Sequence, residues 1–196
     1  MARSRPTTSA PRSLPRAAAQ ASAPAISTSP WAAIRLFAMD VDGVLSDGSI
    51  YVSADGVESK RFSVLDGHGL SRLRQSGVAI AWISGRTSGA TTHRAAELKI
   101  PHLVQGQTDK LAVLTALAAR LGLTPAQVCY MGDDEIDTPA IAWAGIGVAP
   151  TTAMPSALAA AAFIPARPAG AGAVREVCDR IFQAQPGNKI PASVTQ

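Results

Sequence analysis

An apolar run over residues 34–39 ends abruptly in two aspartates and a glycine, Asp40, Asp42 and Gly43. A continuous apolar run of this length is typical of a strand that is buried on both faces in a parallel sheet. Residues i and i+2 of an extended chain point to the same side, so the two carboxylates face one small space. Carboxylates held this close repel each other, and a hard divalent cation such as Mg²⁺ relieves the repulsion. The stretch therefore predicts a buried strand with a cation site at its carboxyl end.

Two other interpretations of the aspartate pair compete with a cation site. The pair can form a simple turn with a capping aspartate, and the stretch alone leaves this open. It can also belong to a calcium loop, but that pattern needs an acid or Asn where Val44 stands, followed by a Gly. The calcium loop is therefore excluded.

Strand and helix patterns alternate along the chain after the aspartate pair. Such alternation is typical of an α/β protein with a doubly wound, mainly parallel sheet. We expect one domain over residues 31–185, a disordered extension over residues 1–30 and a disordered tail over residues 186–196. After residues 34–39, the predicted strands are residues 78–83, 102–104, 128–131, 146–148 and 163–164, and the predicted helices are residues 69–75, 88–98, 110–121, 139–143 and 173–183.

Residues 49–62 predict a β-hairpin, because an Asp-Gly pair stands between two extended runs. The hairpin projects from the loop that carries the two aspartates. About forty residues separate Gly43 from Ser84, and about twenty-five separate Ser84 from Lys110. Neither interval holds a further domain once the predicted elements are placed, so we expect no large cap domain.

Polar residues follow two more predicted strands at their carboxyl ends, and a lysine opens the helix that lies between those strands in the sequence. Ligands of doubly wound sheets bind in the crevice beyond the carboxyl ends of the strands. The clusters at the ends of three strands therefore converge on one site. The converging side chains are Asp40, Asp42, Ser84, Lys110, Asp133 and Asp134.

These side chains suit the hydrolysis of a phosphate ester. A cation neutralises the phosphoryl group, a lysine stabilises its developing charge and a hydroxyl holds an oxygen. Phosphate monoesters hydrolyse so slowly that general acid–base catalysis, worth about 10²–10⁴-fold, does not suffice alone. A carboxylate nucleophile divides the reaction into two easier steps. Asp40 is the candidate nucleophile, Asp42 the candidate acid and base, and Asp133 the candidate that completes the Mg²⁺ ligands.

Four segments, in order, resemble the four motifs of the haloacid dehalogenase superfamily. The resemblance implies that Asp40 is the nucleophile and that Asp42 is the general acid and base. It implies Mg²⁺ bound by Asp40, the backbone carbonyl of Asp42 and Asp133, with the phosphate held by Ser84 and Lys110. The segments are Asp40-Val41-Asp42-Gly43-Val44, Ile83-Ser84-Gly85-Arg86, Lys110 and Gly132-Asp133-Asp134.

Further segments, among them Asp66-Gly67-His68-Gly69, extend the resemblance over residues 34–185. They are similar to a capless branch of the superfamily, the 3-deoxy-D-manno-octulosonate 8-phosphate phosphatases. The resemblance implies hydrolysis of that phosphorylated sugar acid to the free sugar acid and phosphate, a step towards lipopolysaccharide, by a homotetramer. The substrate contacts that it implies are Asp42, Ser63, Val64, Leu65, Asp66, Gly67, Ser84, Gly85, Arg86, Arg94 and Lys110.

Three positions depart from the pattern of this family. Many relatives carry Arg where Leu65 stands and Arg or His where Ala171 stands, and some carry a basic residue where Ser71 stands. This chain therefore has fewer basic side chains at these three positions than many relatives. The substrate can then also be a related nonulosonate phosphate or another small phosphate ester. Arg175 is a candidate substrate or subunit contact, or an ordinary surface arginine.

Two further acids and one other class of protein have to be considered. Asp134 and Asp137 are candidate partners of Lys110 or of the metal, or simple helix caps.

A non-enzymatic receiver domain also combines acids, Mg²⁺ and a lysine, but its lysine lies on the last strand. Lys110 precedes the second acidic cluster, which disfavours a receiver domain.

Charge and composition exclude two kinds of partner. The net charge of +4 arises from four arginines within residues 1–30, which contain no acid, and the remaining basic and acidic residues balance at fourteen each. The folded part therefore has no excess charge for nucleic acid. No run approaches the ~20 apolar residues of a membrane span. Cys129 and Cys178 are expected as reduced core thiols, which favours a cytoplasmic protein.

The hairpin also predicts how the site is closed. A site for phosphoryl transfer has to exclude water, and an isolated two-stranded hairpin is marginally stable. Its apolar residues Ile50, Val52, Val57 and Phe62 need a surface to pack against. We therefore expect hairpins of several subunits to pack together, with each active site closed in part by a neighbouring chain.

Overall fold

Five parallel strands form one sheet in the computed structural model, which describes Met1 and residues 29–187. The sheet order is β5-β4-β1-β6-β7, so that β1 lies in the centre and is apolar and buried throughout. A separate antiparallel pair, β2 and β3, forms the hairpin. The strands are β1 (Leu36–Met39), β2 (Tyr51–Val52), β3 (Glu58–Ser59), β4 (Ala79–Ile83), β5 (His102–Val104), β6 (Val128–Met131) and β7 (Ile146–Val148).

Six α-helices accompany the strands within residues 29–187. They are α1 (Val64–Gln75), α2 (Gly89–Glu97), α3 (Lys110–Arg120), α4 (Thr138–Trp143), α5 (Pro155–Ala160) and α6 (Ala173–Ala184). Three short 3₁₀ turns precede β1, β6 and α4, at Pro30–Ala33, Pro125–Gln127 and Glu135–Asp137.

Alternate residues of β1 face two separate cores. Phe37 and Met39 pack with α1 and α6 on one face of the sheet, whereas Leu36 and Ala38 pack with α3, α4 and α5 on the other. Burial of a Leu- or Phe-sized side chain contributes about 1.5–3 kcal/mol, so both faces stabilise the central strand. Helices on both faces confirm the predicted doubly wound α/β fold, and residues 29–187 contain no large cap domain.

Helix α1 begins five residues before the predicted start at residue 69, and this prediction was wrong. The hydroxyl of Ser63 accepts a hydrogen bond from the N–H of Asp66 and caps the earlier start. Gly67 and Gly69 interrupt the helical pattern of the sequence, and both lie close against arginine side chains. A Cβ at residue 67 would lie 2.5 Å from Nη2 of Arg94, and one at residue 69 would lie 2.8 Å from Cδ of Arg175.

The predicted strand at residues 163–164 is reduced to a single bridge between Phe163 and Val148. The N–H groups of Ala162 and Phe163 both donate to the carbonyl of Gly147. In a regular β-ladder each carbonyl accepts one backbone N–H, so this shared carbonyl interrupts the ladder. Pairing with β7 therefore ends after the single bridge at Phe163. The other strand predictions for the five-stranded sheet agree with the structure to within two residues.

The hairpin has the predicted Asp-Gly turn, in which Gly56 adopts a φ of 80° and Ser53 donates its N–H to the carbonyl of Val57 at 3.1 Å. Tyr51, Val52 and Val57 are exposed on its surface. The hairpin therefore presents apolar side chains to solvent in the single chain.

The end of α6 is fastened to the start of β1. Nε2 of Gln185 donates to the carbonyl of Ile34 at 3.1 Å, and Nη1 of Arg35 donates to Oε1 of Gln185 at 3.1 Å. The first and last elements of the described fold therefore meet.

The predictions for residues 1–28 and 188–196 lie outside the described residues. Among the helices that the structure describes, none combines the length and the apolar character needed to span a membrane.

Candidate active site

Asp40 stands where β1 ends and is 6% exposed. Its N–H donates to the carbonyl of Met131 at 2.9 Å, which fixes the backbone to β6. Its Oδ1 accepts the N–H of Val41 at 2.6 Å, and its Oδ2 lies 3.0 Å from Nζ of Lys110. The strand and these contacts give this carboxylate one orientation at the carboxyl edge of the sheet.

Lys110 has no exposed surface and lies between two carboxylates. Its Nζ is 3.0 Å from Oδ2 of Asp40 and 3.1 Å from Oδ1 of Asp137. It is the first residue of α3, and the side chain of Asp109 caps that helix by accepting the N–H of Ala112 at 3.0 Å. A buried ammonium is tolerated only when it is paired, and here it is paired twice.

Asp137 connects the lysine to the loop after β6. Its Oδ1 also accepts the hydroxyl of Tyr130 at 2.6 Å, and its Oδ2 accepts the N–H groups of Asp133 and Asp134 at 3.2 Å each. The side chain of Asp134 accepts the N–H of Glu135 and caps the following 3₁₀ turn. Thus Asp137 contacts Lys110, whereas Asp134 has a capping contact.

The ionisation of the two innermost acids is strongly perturbed. Burial, and then the charge of Asp137, raises the pKa of Asp40 from 3.8 to about 6, although Lys110 opposes the shift. Burial, and then the charge of Asp40, raises the pKa of Asp133 from 3.8 to about 8. Without a further positive charge, these carboxylates do not all ionise at neutral pH.

The donor set fits a divalent cation. Oδ1 of Asp133 is buried and has no hydrogen-bond partner, so it is free to be a ligand. Asp40, Asp133 and Asp137 bring carboxylate oxygens within 4.8 Å of one another. Each oxygen of Asp137 already accepts two hydrogen bonds, whereas each oxygen of Asp40 has one partner, so Asp40 and Asp133 are the candidate ligands. A Cβ at Gly43 would overlap the carboxylate of Asp133, so only glycine permits this approach.

A cleft of about 170 Å³ opens onto these groups. Ser84 lies at the end of β4, is 1% exposed and accepts the N–H of Arg86 at 3.2 Å through its hydroxyl. The cleft is lined by Asp40, Asp42, Gly85, Arg86, Asp133, Asp134 and Ile136. The structure therefore brings together most of the predicted catalytic, metal-binding and phosphate-binding residues.

Two hairpin residues that the sequence analysis did not identify reach the site. Nζ of Lys60 lies 2.7 Å from Oδ1 of Asp42, and a carboxylate oxygen of Glu58 lies 2.8 Å from Nη2 of Arg86. Glu58 and Lys60 are two positions apart, so an extended strand directs both side chains to one face. That spacing, in a hairpin predicted to leave the aspartate loop, was the signal that could have identified them.

The other predicted substrate contacts do not line the cleft. Nη2 of Arg94 donates to the carbonyl of Ser63 at 3.4 Å, so Arg94 lies against the start of α1. The carboxylate of Asp66 accepts the N–H groups of Gly172 and Arg175, at 3.2 and 2.7 Å, and joins α1 to α6. Val64, Leu65 and Gly67 belong to the same first turn of α1.

A second cavity, of about 560 Å³, lies beside that turn. Leu65 forms part of its wall together with the arginines Arg167, Arg175 and Arg180. Nε of Arg175 is 2.8 Å from Asp179, so this guanidinium is already in an ion pair within α6. In the single chain, Leu65 lines this cavity, and none of residues 63–67 is among the residues that line the cleft at Asp40.

The fold and the site define a haloacid dehalogenase-like hydrolase, and a family model of that description matches residues 96–176. A 3-deoxy-D-manno-octulosonate 8-phosphate phosphatase of Yersinia pestis is 47% identical over 152 residues, which are 78% of this chain and 81% of the relative. The chain therefore belongs to the 3-deoxy-D-manno-octulosonate 8-phosphate phosphatase family.

Solved structures of this family have the same fold. The Moraxella catarrhalis phosphatase, described in complex with magnesium, phosphate and KDO, is 45% identical, with a TM-score of 0.78 over 80% of this chain and 90% of that one. The cobalt-bound Haemophilus influenzae phosphatase is 35% identical, with a TM-score of 0.77 over 80% of this chain and 92% of that one. Membership of this family excludes the receiver-domain alternative.

Proposed function

We propose that this protein is a Mg²⁺-dependent phosphomonoesterase that hydrolyses 3-deoxy-D-manno-octulosonate 8-phosphate to the free sugar acid and phosphate. The observation that carries the proposal is the buried carboxylate of Asp40, which lines the cleft and is oriented by Lys110, in a chain 47% identical to such a phosphatase. The reaction is a step towards lipopolysaccharide.

Asp40 is the proposed nucleophile. A carboxylate oxygen forms a bond to phosphorus while the bond from phosphorus to the sugar oxygen breaks, and the product is an aspartyl-phosphate. Lys110, 3.0 Å from Asp40 and excluded from solvent, stabilises the negative charge that develops on the phosphoryl oxygens. Because its ammonium is held between two carboxylates, it does not have to reorganise during the reaction.

Asp42 is the proposed general acid and base. It donates a proton to the departing sugar alkoxide, and the same carboxylate then takes a proton from the water that attacks the aspartyl-phosphate. Its side chain lies in the cleft beside Asp40 and remains 18% exposed, which gives it access to substrate and water.

Asp40, Asp133 and the backbone carbonyl of Asp42 are the proposed ligands of Mg²⁺. The cation neutralises the crowded carboxylates and the charge of the phosphoryl group when it is bound. Asp137 holds the loop that carries Asp133 through two backbone N–H groups and so orients that ligand.

The proposed assembly is a homotetramer with active sites at subunit interfaces, located in the cytoplasm. Supporting observations are the exposed apolar side chains of the hairpin and of the first turn of α1, where Val64 is 78% exposed. Residues 63–67 do not line the cleft of their own chain, so we infer that they serve the cleft of a neighbour. The two cysteines are free and buried, which suits a reducing compartment.

A panel of phosphate esters tests the proposed substrate. Steady-state kcat/KM with Mg²⁺ is compared for 3-deoxy-D-manno-octulosonate 8-phosphate, a nonulosonate 9-phosphate and a simple hexose phosphate. We expect the first to be preferred by at least about tenfold over each of the others, equivalent to about 1.4 kcal/mol in transition-state binding. Preference for the hexose phosphate would contradict the proposal. Preference for the nonulosonate 9-phosphate would make that compound the substrate in place of 3-deoxy-D-manno-octulosonate 8-phosphate.

A further inference from the structure

Lys60 is a buried cation of the hairpin that the proposed reaction does not use. Its side chain has no exposed surface. Its Nζ lies 2.7 Å from Oδ1 of Asp42, 3.5 Å from Oε1 of Glu58 and 3.4 Å from the hydroxyl of Thr91. The ammonium is thus surrounded by two carboxylates and one hydroxyl, contributed by three separate segments of the chain.

This arrangement does more than satisfy the lysine. Asp42 and Glu58 both approach the same ammonium, so without it two carboxylates would face each other across the space that it leaves. The negative charges of the two carboxylates would then repel each other, and the short side chain of Asp42 has few other orientations available. The ammonium is thus the charge on which both carboxylates converge, and its ion pair with Asp42 favours the observed orientation of that carboxylate.

The same strand also reaches the opposite wall of the cleft. Oε1 of Glu58 faces the ammonium of Lys60, and Oε2 of Glu58 lies 2.8 Å from Nη2 of Arg86. A continuous series of ion pairs thus runs from Asp42 through the hairpin to Arg86, and both end residues line the cleft. Since Arg86 is half-exposed, only the Asp42 end of the series is held by a fully buried partner.

We propose that Lys60 is a positioning residue, which holds the carboxyl group of Asp42 in the orientation from which its acid form protonates the leaving group. The inference rests on the proposed function, because it assigns Lys60 to the acid step of that reaction. Lys60 does not touch the substrate, and its effect passes through Asp42. The hairpin is accordingly part of the catalytic machinery of its own chain, in addition to any contact with a neighbour.

Two substrates that differ in their leaving group separate this role from a general structural one. A sugar or glycerol alkoxide needs a proton as it departs, whereas 4-nitrophenolate needs little help. For Lys60→Met, which keeps the chain length and removes the charge, we expect kcat on the alkyl phosphate to fall by about tenfold or more, within the range of general acid catalysis. We expect kcat on 4-nitrophenyl phosphate to fall by less than about threefold, and Lys60→Arg to recover part of the loss.

Arg61→Met is the matched control. Arg61 is the next residue, and its Nη2 pairs with Asp47 at 3.0 Å on the outside of the protein, so this variant also removes one cation–aspartate pair of the hairpin. It should leave the ratio of the two kcat values unchanged. Equal losses on both substrates in Lys60→Met would overturn the positioning role.

A double-mutant cycle with Asp42→Asn tests whether the effect passes through Asp42. If it does, adding Lys60→Met to Asp42→Asn costs less than about threefold on the alkyl phosphate, because the acid is already absent. The same tenfold loss in both backgrounds would overturn the inference.

A crystal structure of Lys60→Met with Mg²⁺ gives a readout that does not depend on turnover. We expect the carboxylate of Asp42 to leave its wild-type position, and an unmoved carboxylate would overturn the inference.

If the wild type hydrolyses other alkyl phosphates but not 3-deoxy-D-manno-octulosonate 8-phosphate, the proposed substrate fails. The comparison of leaving groups then uses glycerol phosphate, so the two failures are distinguishable.

Discussion

Asp137 has no exposed surface, yet its two oxygens accept hydrogen bonds from two side chains and two backbone N–H groups. It fixes Lys110 beside Asp40 and fixes the loop that carries Asp133. Removal of one partner from a buried ion pair typically costs about 3–5 kcal/mol, because an uncompensated charge remains. The geometry of the proposed nucleophile thus depends on a residue that does not enter the cleft.

The proposed nucleophile can be tested by Asp40→Asn. The amide has the shape of the carboxylate but is not nucleophilic, so we expect Mg²⁺-dependent phosphate release to be abolished while thermal unfolding remains cooperative. Asp47→Asn, which changes an exposed aspartate on the same loop, should retain near-native turnover. A folded Asp40→Asn protein with near-native turnover would contradict the assignment.

The role of Asp42 predicts a dependence on the leaving group. Asp42→Asn cannot protonate a departing alkoxide, so we expect kcat on the sugar phosphate to fall by about 10²-fold or more. On 4-nitrophenyl phosphate, the loss should be at least about tenfold smaller. Equal losses on both substrates would remove Asp42 from the acid step.

The raised pKa values of Asp40 and Asp133 predict how the stability of the metal-free protein changes with pH. Both acids are ionised above about pH 4 in the unfolded chain, whereas the folded protein keeps their protons up to a pKa of about 6 and about 8. The folded state therefore binds more protons in this window, and stability falls as the pH rises.

This pH dependence can be measured by thermal unfolding. In the presence of a chelator, we expect Tm to decrease between about pH 5 and pH 8. Mg²⁺ should raise Tm more at the higher pH, and Asp133→Asn should remove most of the decrease above about pH 6. A Tm that rises across this range in the chelated protein would refute the prediction.

The hairpin is the element on which the proposed assembly depends. Val57 is 58% exposed near its turn, so Val57→Asp removes no burial from the single chain. If hairpins of several subunits pack together, this charge would be desolvated at their interface, and we expect the assembly to dissociate in light scattering. Ile164→Asp, at a 45% exposed aliphatic residue outside the hairpin, is the control and should leave the mass unchanged. An unchanged mass for Val57→Asp would contradict the predicted packing.

The elements also show what a single sequence can predict. Asp40, Ser84 and Asp133 could be located because each lies within two residues of the end of an apolar strand, and parallel strands end at one edge of the sheet. The start of α1 was missed because Gly67 and Gly69 weaken the helical pattern, and the arginines that lie against them, Arg94 and Arg175, are distant in sequence. The contacts of Lys60 were missed for the same reason, since they depend on how the hairpin folds back over the loop.

At the scale of the whole molecule, the proposed tetramer predicts that activity depends on concentration. The first turn of α1 does not line the cleft of its own chain, so a dissociated subunit lacks the contacts that we assign to a neighbour. We expect the specific activity on the sugar phosphate to fall on dilution in parallel with the mass from light scattering. A fully active monomer at assay concentrations would refute shared sites.

The fastening of Gln185 to the start of β1 has a practical consequence for handling the enzyme. Strands begin at one edge of the sheet and the cleft lies at the other, so both ends of residues 29–187 emerge on the side away from the catalytic groups. An affinity tag, a fluorescent protein or a surface tether joined directly at residue 29 or residue 187 would therefore start on the side away from the cleft. A circular permutant that links the two ends needs only a short connector and would place its new termini wherever a surface loop is cut.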